Sequence, residues 1–333
     1  MRKKSVALLA CSNGYGHIKR LLLLSESLTT AGANPTLFAP KVSAELIAKK
    51  EQISASKVVN FNTHTNKENW LDGSAVEWIK FAPNLSKFDI VVSDNLIEIL
   101  SIRPDAWLSG SFFWHDALLN FPQYLKKNSI SLLKKYNPKI ISSELFTSDQ
   151  LKSNTELYEV GLFGGSFFKK KSNEQTDVLI ACGFGGSVKK EALEFVKNLA
   201  NTKKRKFKRV WVEPDIIPLD RPDWILPATF TKEMYQKILS AIIRPGVGTI
   251  TNSLSAGAKI FPFYEPDNFE MRFNAEKIYL AGVASQTSTI NDAWEKSELF
   301  CETHDEQSFH NEKIAKIDFN GAQQAAALIL GHI

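Results

Sequence analysis

Short apolar stretches alternate with longer helical stretches along the chain, in two successive series. Each apolar stretch is continuous and does not alternate with polar residues, which is typical of strands in a parallel sheet covered by helices on both faces. The first series comprises residues 5–11, 35–40, 57–61, 88–94, 106–113 and 139–143. The second comprises residues 177–187, 209–213, 223–230, 240–246 and 259–264. The pattern predicts an α/β protein with two doubly wound, Rossmann-like domains that face each other across a cleft.

The break between the two series lies at residues 161–176, GLFGGSFFKKKSNEQT, whose glycines, lysines and polar residues are typical of a linker. We therefore expect one domain over residues 1–160, a second over 177–320, and a short terminal helix over 321–333. The length agrees, since 333 residues are about twice those of a typical domain.

Composition changes this picture little. Hydrophobic residues make up 44% of the chain and charged residues 23%, which are ordinary values for a globular protein. The net charge of +5 is too small to indicate nucleic-acid binding, although it suits anionic substrates or a membrane surface. Cys11, Cys182 and Cys301 are odd in number and far apart, which argues against a disulfide framework or a cysteine zinc site and fits a reducing cytoplasm.

The basic start MRKKS and the apolar run after it raise the question of a signal peptide. The run from Val6 to Cys11 is only six residues long and leads into a glycine turn, so it is predicted as the first strand. No stretch approaches the roughly 20 apolar residues of a membrane span. We expect a cytoplasmic protein and leave open a peripheral contact with the inner face of the membrane.

The stretch CSNGYGHIKR (11–20) places Gly14, Gly16 and His17 between the first strand and the next helix. Ligands of doubly wound folds bind beyond the carboxyl ends of the strands, where this turn lies. A helix N-terminus disfavours a protonated imidazole, so His17 would stay neutral and able to accept a proton. A polar residue that is hydrogen-bonded locally at a helix start explains the same pattern.

Asp94 ends the strand predicted over residues 88–94. Its carboxylate could accept the other ring N–H of His17, which would fix the tautomer and raise the basicity of the imidazole. Alternatively, Asp94 only caps the next helix.

The second series carries the glycine turn RPGVGTITNSLSAG (244–257) between a strand and a helix. Gly246 and Gly248 allow close backbone approach, Thr249 offers a hydroxyl, and the helix amides with Arg244 form an anion site that fits a diphosphate. The turn has no Lys-Ser or Lys-Thr pair and so is not an ATP-type P-loop. A glycine turn kept only for tight packing is the alternative.

The acidic stretch EPDNFE (265–270) follows the next predicted strand. Glu270, or Asp267 nearby, could hydrogen-bond the hydroxyls of a polar ligand on the neighbouring phosphate site. An ordinary acidic surface loop is the alternative.

Together these four stretches resemble the GT-B glycosyltransferases, in particular the branch of the peptidoglycan N-acetylglucosaminyltransferase and the UDP-glycosyltransferases. GYGHIKRLLLLSESLTTAG looks like the glycine-rich first loop and helix of that branch. RPGVGTITNSLSAGAKIFPF followed by NFEMRFNAEKIYLAGVA looks like its nucleotide-diphosphate-sugar signature. The resemblance implies that the first domain binds an acceptor and the second binds the donor.

The resemblance implies that His17 is the general base and that Asp94 is its carboxylate partner. It implies that Phe230 binds the nucleotide base, Ser187 meets the phosphates and Glu270 reaches the sugar hydroxyls. The full set of nucleotide-sugar-binding residues that it implies is Gly14, Gly16, Ser187, Phe230, Arg244, Gly246, Gly248, Thr249, Asn252 and Glu270.

The chain departs from the family at two places. Asn252 stands where the family usually has a glutamate that grips the ribose hydroxyls, and an amide cannot accept two strong bonds as a carboxylate can. This puts UDP in doubt, although a UDP-sugar remains the expected donor. The first loop also has fewer glycines than that of the peptidoglycan enzyme, which weakens the case for its lipid acceptor.

The expected activity is that of a metal-independent inverting hexosyl- or N-acetylhexosaminyltransferase, without cofactor, in the synthesis of a cell-surface polysaccharide or glycoconjugate. The chain contains no Asp-x-Asp pair, so the scheme needs no metal to carry the diphosphate. The expected acceptor is a sugar or a lipid-linked molecule, and nucleic acid is not expected as a partner.

Three other functions remain open. The GT-B architecture also serves sugar-nucleotide epimerases and hydrolases, and Asn252 would suit a non-catalytic nucleotide-sugar-binding protein. A dinucleotide oxidoreductase is disfavoured. The turn CGFGGS follows a strand and Glu213 ends the next one, but Val188 stands where the Rossmann fingerprint has its third glycine.

The aromatic stretch 107–127, WLSGSFFWHDALLNFPQYLKK, ends in lysines. It could line an acceptor cleft or touch an anionic membrane, and a buried segment with one solvated end explains it equally. The basic runs at 169–171 and 203–209 are predicted to be solvated surface, with weak membrane docking as the alternative.

Overall fold

A computed structural model describes residues 2–12, 14–54, 57–64, 67–118, 120–153, 156–164, 175–183, 187–202 and 206–331. The chain forms two compact units. The first combines Met1–Phe163 with Asn320–Ile333, and the second is Gly164–Phe319. Each has its own parallel sheet, and each is described separately below.

The first unit is built on a seven-stranded parallel sheet with the strand order β3-β2-β1-β4-β5-β6-β7. Its strands are β1 (Ser5–Leu9), β2 (Asn34–Ala39), β3 (Lys57–Asn60), β4 (Ile90–Asp94), β5 (Trp107–Ser109), β6 (Lys139–Ser143) and β7 (Glu156–Val160). The order reverses between β1 and β4, which are direct neighbours. In open α/β sheets a crevice forms at this reversal, beyond the carboxyl ends of the two strands.

Helices cover this sheet. They are α1 (Tyr15–Thr30), α2 (Lys41–Glu51), α3 (Lys67–Asp72), α4 (Trp114–Ala117), α5 (Gln123–Tyr136), α6 (Asp149–Lys152) and α13 (Gly321–Leu330), with 3₁₀ turns at Ser74–Phe81, Ile97–Ser101 and Glu144–Phe146. The leucine run of α1 is buried from Leu21 to Leu24 and packs with α13 in one apolar core. The last helix, which we set apart as its own segment, thus belongs to the first unit.

The second unit has a five-stranded parallel sheet with the order β10-β9-β8-β11-β12. Its strands are β8 (Asp177–Ala181), β9 (Val210–Val212), β10 (Ile225–Pro227), β11 (Ile238–Ile243) and β12 (Lys259–Pro262). Its helices are α7 (Ser187–Ala200), α8 (Lys232–Tyr235), α9 (Val247–Ser255), α10 (Phe269–Leu280), α11 (Ile290–Glu302) and α12 (His304–Ile314), with a 3₁₀ turn at Pro214–Ile216. Here the strand order reverses between β8 and β11.

The predicted fold class is confirmed, since both units are parallel-sheet α/β domains. Every apolar stretch of the two series contains a strand, but β7 was missed. β7 is an edge strand in which Glu156 is exposed and only Val160 is buried, so it lacks the continuous apolar run of a central strand. Most of the predicted linker, including the basic run at 169–171, lies outside the described residues.

Among the helices of the described residues, none has the length and apolar character needed to cross a membrane.

Candidate active site

The reversal point of the first unit carries the predicted His17–Asp94 pair. Asp94 is the last residue of β4, and His17 lies in the first turn of α1, directly after β1. Gly14 is the N-cap of α1 with φ 110°, a conformation that a residue with a side chain rarely adopts. This glycine turns the chain sharply from strand into helix and so brings His17 over the end of β4.

The imidazole of His17 is hydrogen-bonded to the carboxylate of Asp94. The distance from Nδ1 to Oδ1 is 2.7 Å, and the side chains are 13% and 0% exposed, respectively. An ionised carboxylate only accepts hydrogen bonds, so Nδ1 is the donor and carries the ring proton. The lone pair of a neutral imidazole then lies on Nε2, which can accept a proton from a substrate.

Asp94 has two further polar neighbours. Nη1 of Arg20 lies 3.4 Å from Oδ2, and the hydroxyl of Ser109 donates to the same oxygen at 3.4 Å. A carboxylate that is shielded from water is tolerated when it is paired and hydrogen-bonded. The surroundings of Asp94 therefore suit its ionised form.

Aromatic rings border the pair on one side. The ring centroids of Trp114 and His17 are 6.1 Å apart, and Trp114 packs against Trp70 and Phe112. Phe121 packs against Trp70 in turn, and all four of these rings are at most 6% exposed. The aromatic stretch is thus buried throughout from residue 108 to residue 115, whereas Tyr124 and Lys127 near its end are exposed.

The glycine turn before α1 is fastened to the loop after β3. The backbone N–H of Ser12 donates to Oγ1 of Thr63 at 3.0 Å, and the N–H of Thr63 donates to Oγ of Ser12 at 3.1 Å. Sequence reasoning missed Thr63, Arg20 and Ser109. For Arg20 a signal existed, because the spacing of three residues from His17 places both on one face of α1.

The reversal point of the second unit carries the other predicted turn. Gly246 is the N-cap of α9 and the helix start has no side-chain cap, so the first amides of α9 have no cap acceptor. Gly248 and Thr249 lie in the first helical turn and are half-buried. Free amides and the positive end of the helix dipole can together hold an anion.

Arg244 is oriented by a carboxylate that the sequence did not reveal. Its Nε donates to Oε2 of Glu265 at 2.9 Å, and the side chains are 19% and 11% exposed. Nδ2 of Asn274 donates to the carbonyl oxygen of Pro245 at 2.9 Å and so fixes the turn from the other side. The guanidinium stands at the turn, but Glu265 offsets part of its charge.

The first turn of the second unit is also occupied by an internal carboxylate. Oε2 of Glu213 accepts hydrogen bonds from the amides of Cys182 and Gly183, both at 2.7 Å. Burial, together with this carboxylate, raises the pKa of the Cys182 thiol to about 12, so the thiol stays neutral. Ser187 begins α7 and is exposed, whereas residues 184–186 lie outside the described part of the chain.

Three further predicted residues lie near the same sheet edge in different settings. Phe230 follows β10 with φ 53°, a strained conformation for a bulky residue. Glu270 is half-buried in the first turn of α10. Asn252 is only 2% exposed, within the stretch of α9 from Ile250 to Ser255 that is buried throughout.

The structure thus gathers the predicted residues at two sheet edges. Gly14, Gly16, His17 and Asp94 lie together in the first unit. In the second unit the predicted residues follow the carboxyl ends of β8, β10, β11 and β12. β10 and β12 are the two outer strands, so Phe230 and Glu270 are at opposite ends of that edge.

Solved structures share this architecture over their whole length. The chain is similar to CalG4, the calicheamicin glycosyltransferase, with 15% identity, a TM-score of 0.63 and 100% of both chains covered. It is similar to Arabidopsis thaliana UGT89C1 complexed with quercetin, with 12% identity, a TM-score of 0.66 and coverage of 98% and 100%. The chain has the GT-B fold.

A third similar GT-B structure is LpCGTa in complex with UDP, with 12% identity, a TM-score of 0.65 and 99% of both chains covered. No protein-family model matches the chain, and neither does any curated protein sequence. At such low identity the likeness shows the fold alone. The sequence-based recognition of a GT-B protein is therefore confirmed at the level of the fold.

Proposed function

We propose that the protein is a glycosyltransferase that moves a sugar from a nucleotide-diphosphate sugar to an acceptor hydroxyl. The observation that carries the proposal is the 2.7 Å contact between His17 and Asp94 at the strand-order reversal of the first unit. A histidine that is held by a buried carboxylate and keeps Nε2 as a proton acceptor can act as a general base.

In the proposed reaction, Nε2 of His17 takes the proton from the acceptor hydroxyl while the oxygen attacks the anomeric carbon. The bond between that carbon and the diphosphate oxygen breaks, and its electron pair leaves with the nucleoside diphosphate. One base acting opposite the leaving group produces inversion at the anomeric carbon, by the facial logic of inverting glycosidases. Asp94 stabilises the imidazolium that forms.

The donor site that we propose lies on the second unit. The uncapped amides of α9 and the guanidinium of Arg244 would bind the diphosphate and stabilise the charge that develops on the leaving group. The scheme needs no metal ion. Phe230 would stack on the nucleotide base and Glu270 would bind sugar hydroxyls, and the strained φ of 53° at Phe230 supports a functional role.

We take a UDP-sugar as the donor. UDP and UDP-L-rhamnose are the ligands named for two UGT89C1 structures of the same fold. The buried amide of Asn252 offers a ribose less than a carboxylate would, so we expect weak nucleotide binding.

A hexosyl or N-acetylhexosaminyl group and an acceptor in a cell-surface polysaccharide or glycoconjugate are the finer parts of the proposal. Lys127, Lys134 and Lys135 are exposed on α5 and would favour an anionic membrane surface if the acceptor is lipid-linked.

The first test is a thermal-shift titration with UDP, GDP, CMP, dTDP, ADP and NAD. A ligand that binds the folded protein raises its apparent stability, so one nucleoside diphosphate should stand out. Thr249→Ala should remove that shift, whereas Thr30→Ala, at an exposed position at the end of α1, should keep it. A response to NAD alone, or to none of the six, would contradict the donor site.

The second test follows nucleoside diphosphate release from the matching sugar donor across a set of alcohol acceptors. His17→Ala should lower kcat/KM about 10²- to 10⁴-fold and leave donor binding intact, because it removes the base alone. His304→Ala, at an exposed position in the second unit, serves as the control. Donor turnover that needs no acceptor would instead indicate a hydrolase or an epimerase.

A further inference from the structure

Arg20 shares one carboxylate with His17. It lies three residues after His17 in α1, so both side chains leave the same face of the helix. His17 contacts Oδ1 of Asp94 at 2.7 Å, and Nη1 of Arg20 lies 3.4 Å from Oδ2. The two groups therefore hold opposite oxygens of the same side chain.

The charges of Asp94 and Arg20 have opposite effects on the protonation of the His17 imidazole. The carboxylate of Asp94 has no solvent exposure and the side chain of Arg20 is 15% exposed. An anion beside a histidine favours the protonated imidazole, and a nearby cation opposes that effect. A guanidinium supplies its positive charge at every pH, since it does not deprotonate in proteins.

Among the described contacts, few other side chains lie close to His17 and Asp94. Ser109 on β5 contributes a neutral hydroxyl, and Trp114 on α4 contributes an uncharged indole ring. Lys19 is the sequence neighbour of Arg20, but its Nζ lies 2.9 Å from Oε2 of Glu51 and is engaged elsewhere. The cation that meets Asp94 is therefore the one at position 20.

We propose that Arg20 is a positioning residue of the proposed catalytic pair: it compensates the charge of Asp94 from the side opposite the imidazole and keeps His17 neutral and ready to accept a proton. This inference rests on the proposed function for its catalytic meaning. Its physical content, the control of imidazole protonation, can be measured without any substrate.

The measurement is an NMR titration of the His17 ring in the full chain, assigned with His17→Ala. In Arg20→Gln the titration midpoint should rise by about one pH unit relative to the wild type, as expected for the loss of one nearby charge. Arg20→Lys keeps the charge and should stay within about 0.3 unit of the wild type. Arg2→Gln, which removes an equal charge from a site that is 83% exposed, should not move the midpoint.

Arg20→Met gives the same test with an aliphatic side chain if the glutamine variant does not fold. A midpoint that stays at the wild-type value in the uncharged variant would overturn the proposal, and so would an equal shift in Arg2→Gln. If Arg20 only holds α1 against β4, the titration midpoint of His17 should stay unchanged in the uncharged variant.

The pH dependence of kcat/KM separates this inference from the proposed function. If His17 is the base, the acid limb of the profile in Arg20→Gln should move upward with the NMR midpoint. If the midpoint moves while the acid limb does not, Arg20 still controls the imidazole, and His17 as the base is refuted.

Discussion

Acidification should destabilise the second unit through His310. This residue lies on α12 and is 3% exposed, and its ring packs nearly perpendicular to Phe300 with centroids 5.7 Å apart. Burial, reinforced by the charge of Lys259, lowers the pKa of His310 from 6.5 to about 4. Protonating the ring in the folded state is therefore far harder than in the unfolded chain.

The direction of the stability change with pH follows from the difference in proton uptake between the folded and the unfolded chain. Between pH 4 and pH 6.5 the unfolded chain binds a proton at this position that the folded chain does not, so the free energy of unfolding rises with pH. The contribution is complete above the unfolded pKa and is lost as the pH falls toward the folded one. With these two pKa values the loss between pH 7.5 and pH 5 is about 2 kcal/mol.

The assay is urea unfolding of the wild type and of His310→Phe at pH 7.5 and at pH 5. The phenylalanine variant cannot take up the proton, so its stability relative to the wild type should improve by about 2 kcal/mol on going to pH 5. His304→Phe replaces an exposed histidine of the same helix and controls for the substitution itself. An equal difference between wild type and His310→Phe at both pH values would refute the reasoning.

Three further predictions concern other groups. Burial raises the pKa of Glu98 from 4.5 to about 7, so its contribution to stability is present at low pH and lost as the pH rises. In urea unfolding, Glu98→Gln should therefore gain about 2.5 kcal/mol of stability relative to the wild type on going from pH 5 to pH 8. A stability difference that does not depend on pH would contradict this. Gly14→Ala should lower the free energy of unfolding by about 1–3 kcal/mol, because an alanine at φ 110° is strained. Gly16→Ala, inside α1, should be neutral or stabilising. Equal melting temperatures of the two variants would show that the turn is not strained. Glu265→Gln should tighten binding of the nucleoside diphosphate about fivefold by freeing the charge of Arg244, and weaker binding by calorimetry would show that Glu265 mainly holds that guanidinium in place.

The sequence predicted every strand except β7, and the predicted strands include the edge strands β3 and β10, which are not buried throughout. β1, β4, β8 and β11 are central and contain buried apolar runs, so their pattern is unambiguous. β7 pairs on one side only and keeps polar residues at its exposed positions. Its identity comes from pairing with β6, a tertiary contact that no local pattern contains.

The same distinction explains which site residues could be predicted. His17 and Asp94 each follow or end a central strand, so strand order alone brings them to one edge, and their hydrogen bond could be expected from the sequence.

Asn252 stands out in the sequence as a departure from the family pattern, yet its burial could not be foreseen. In α9, VGTITNSLS, the apolar residues Val247, Ile250 and Leu254 lie on one face, so the periodicity places Asn252 on the opposite face of the helix. In the structure all residues from Ile250 to Ser255 are buried, so α9 is covered on all sides there and Asn252 is buried too, whereas Thr249 near the helix start is half-buried. For this reason the hydroxyl at position 249 is the better probe of the proposed donor site than the amide at position 252.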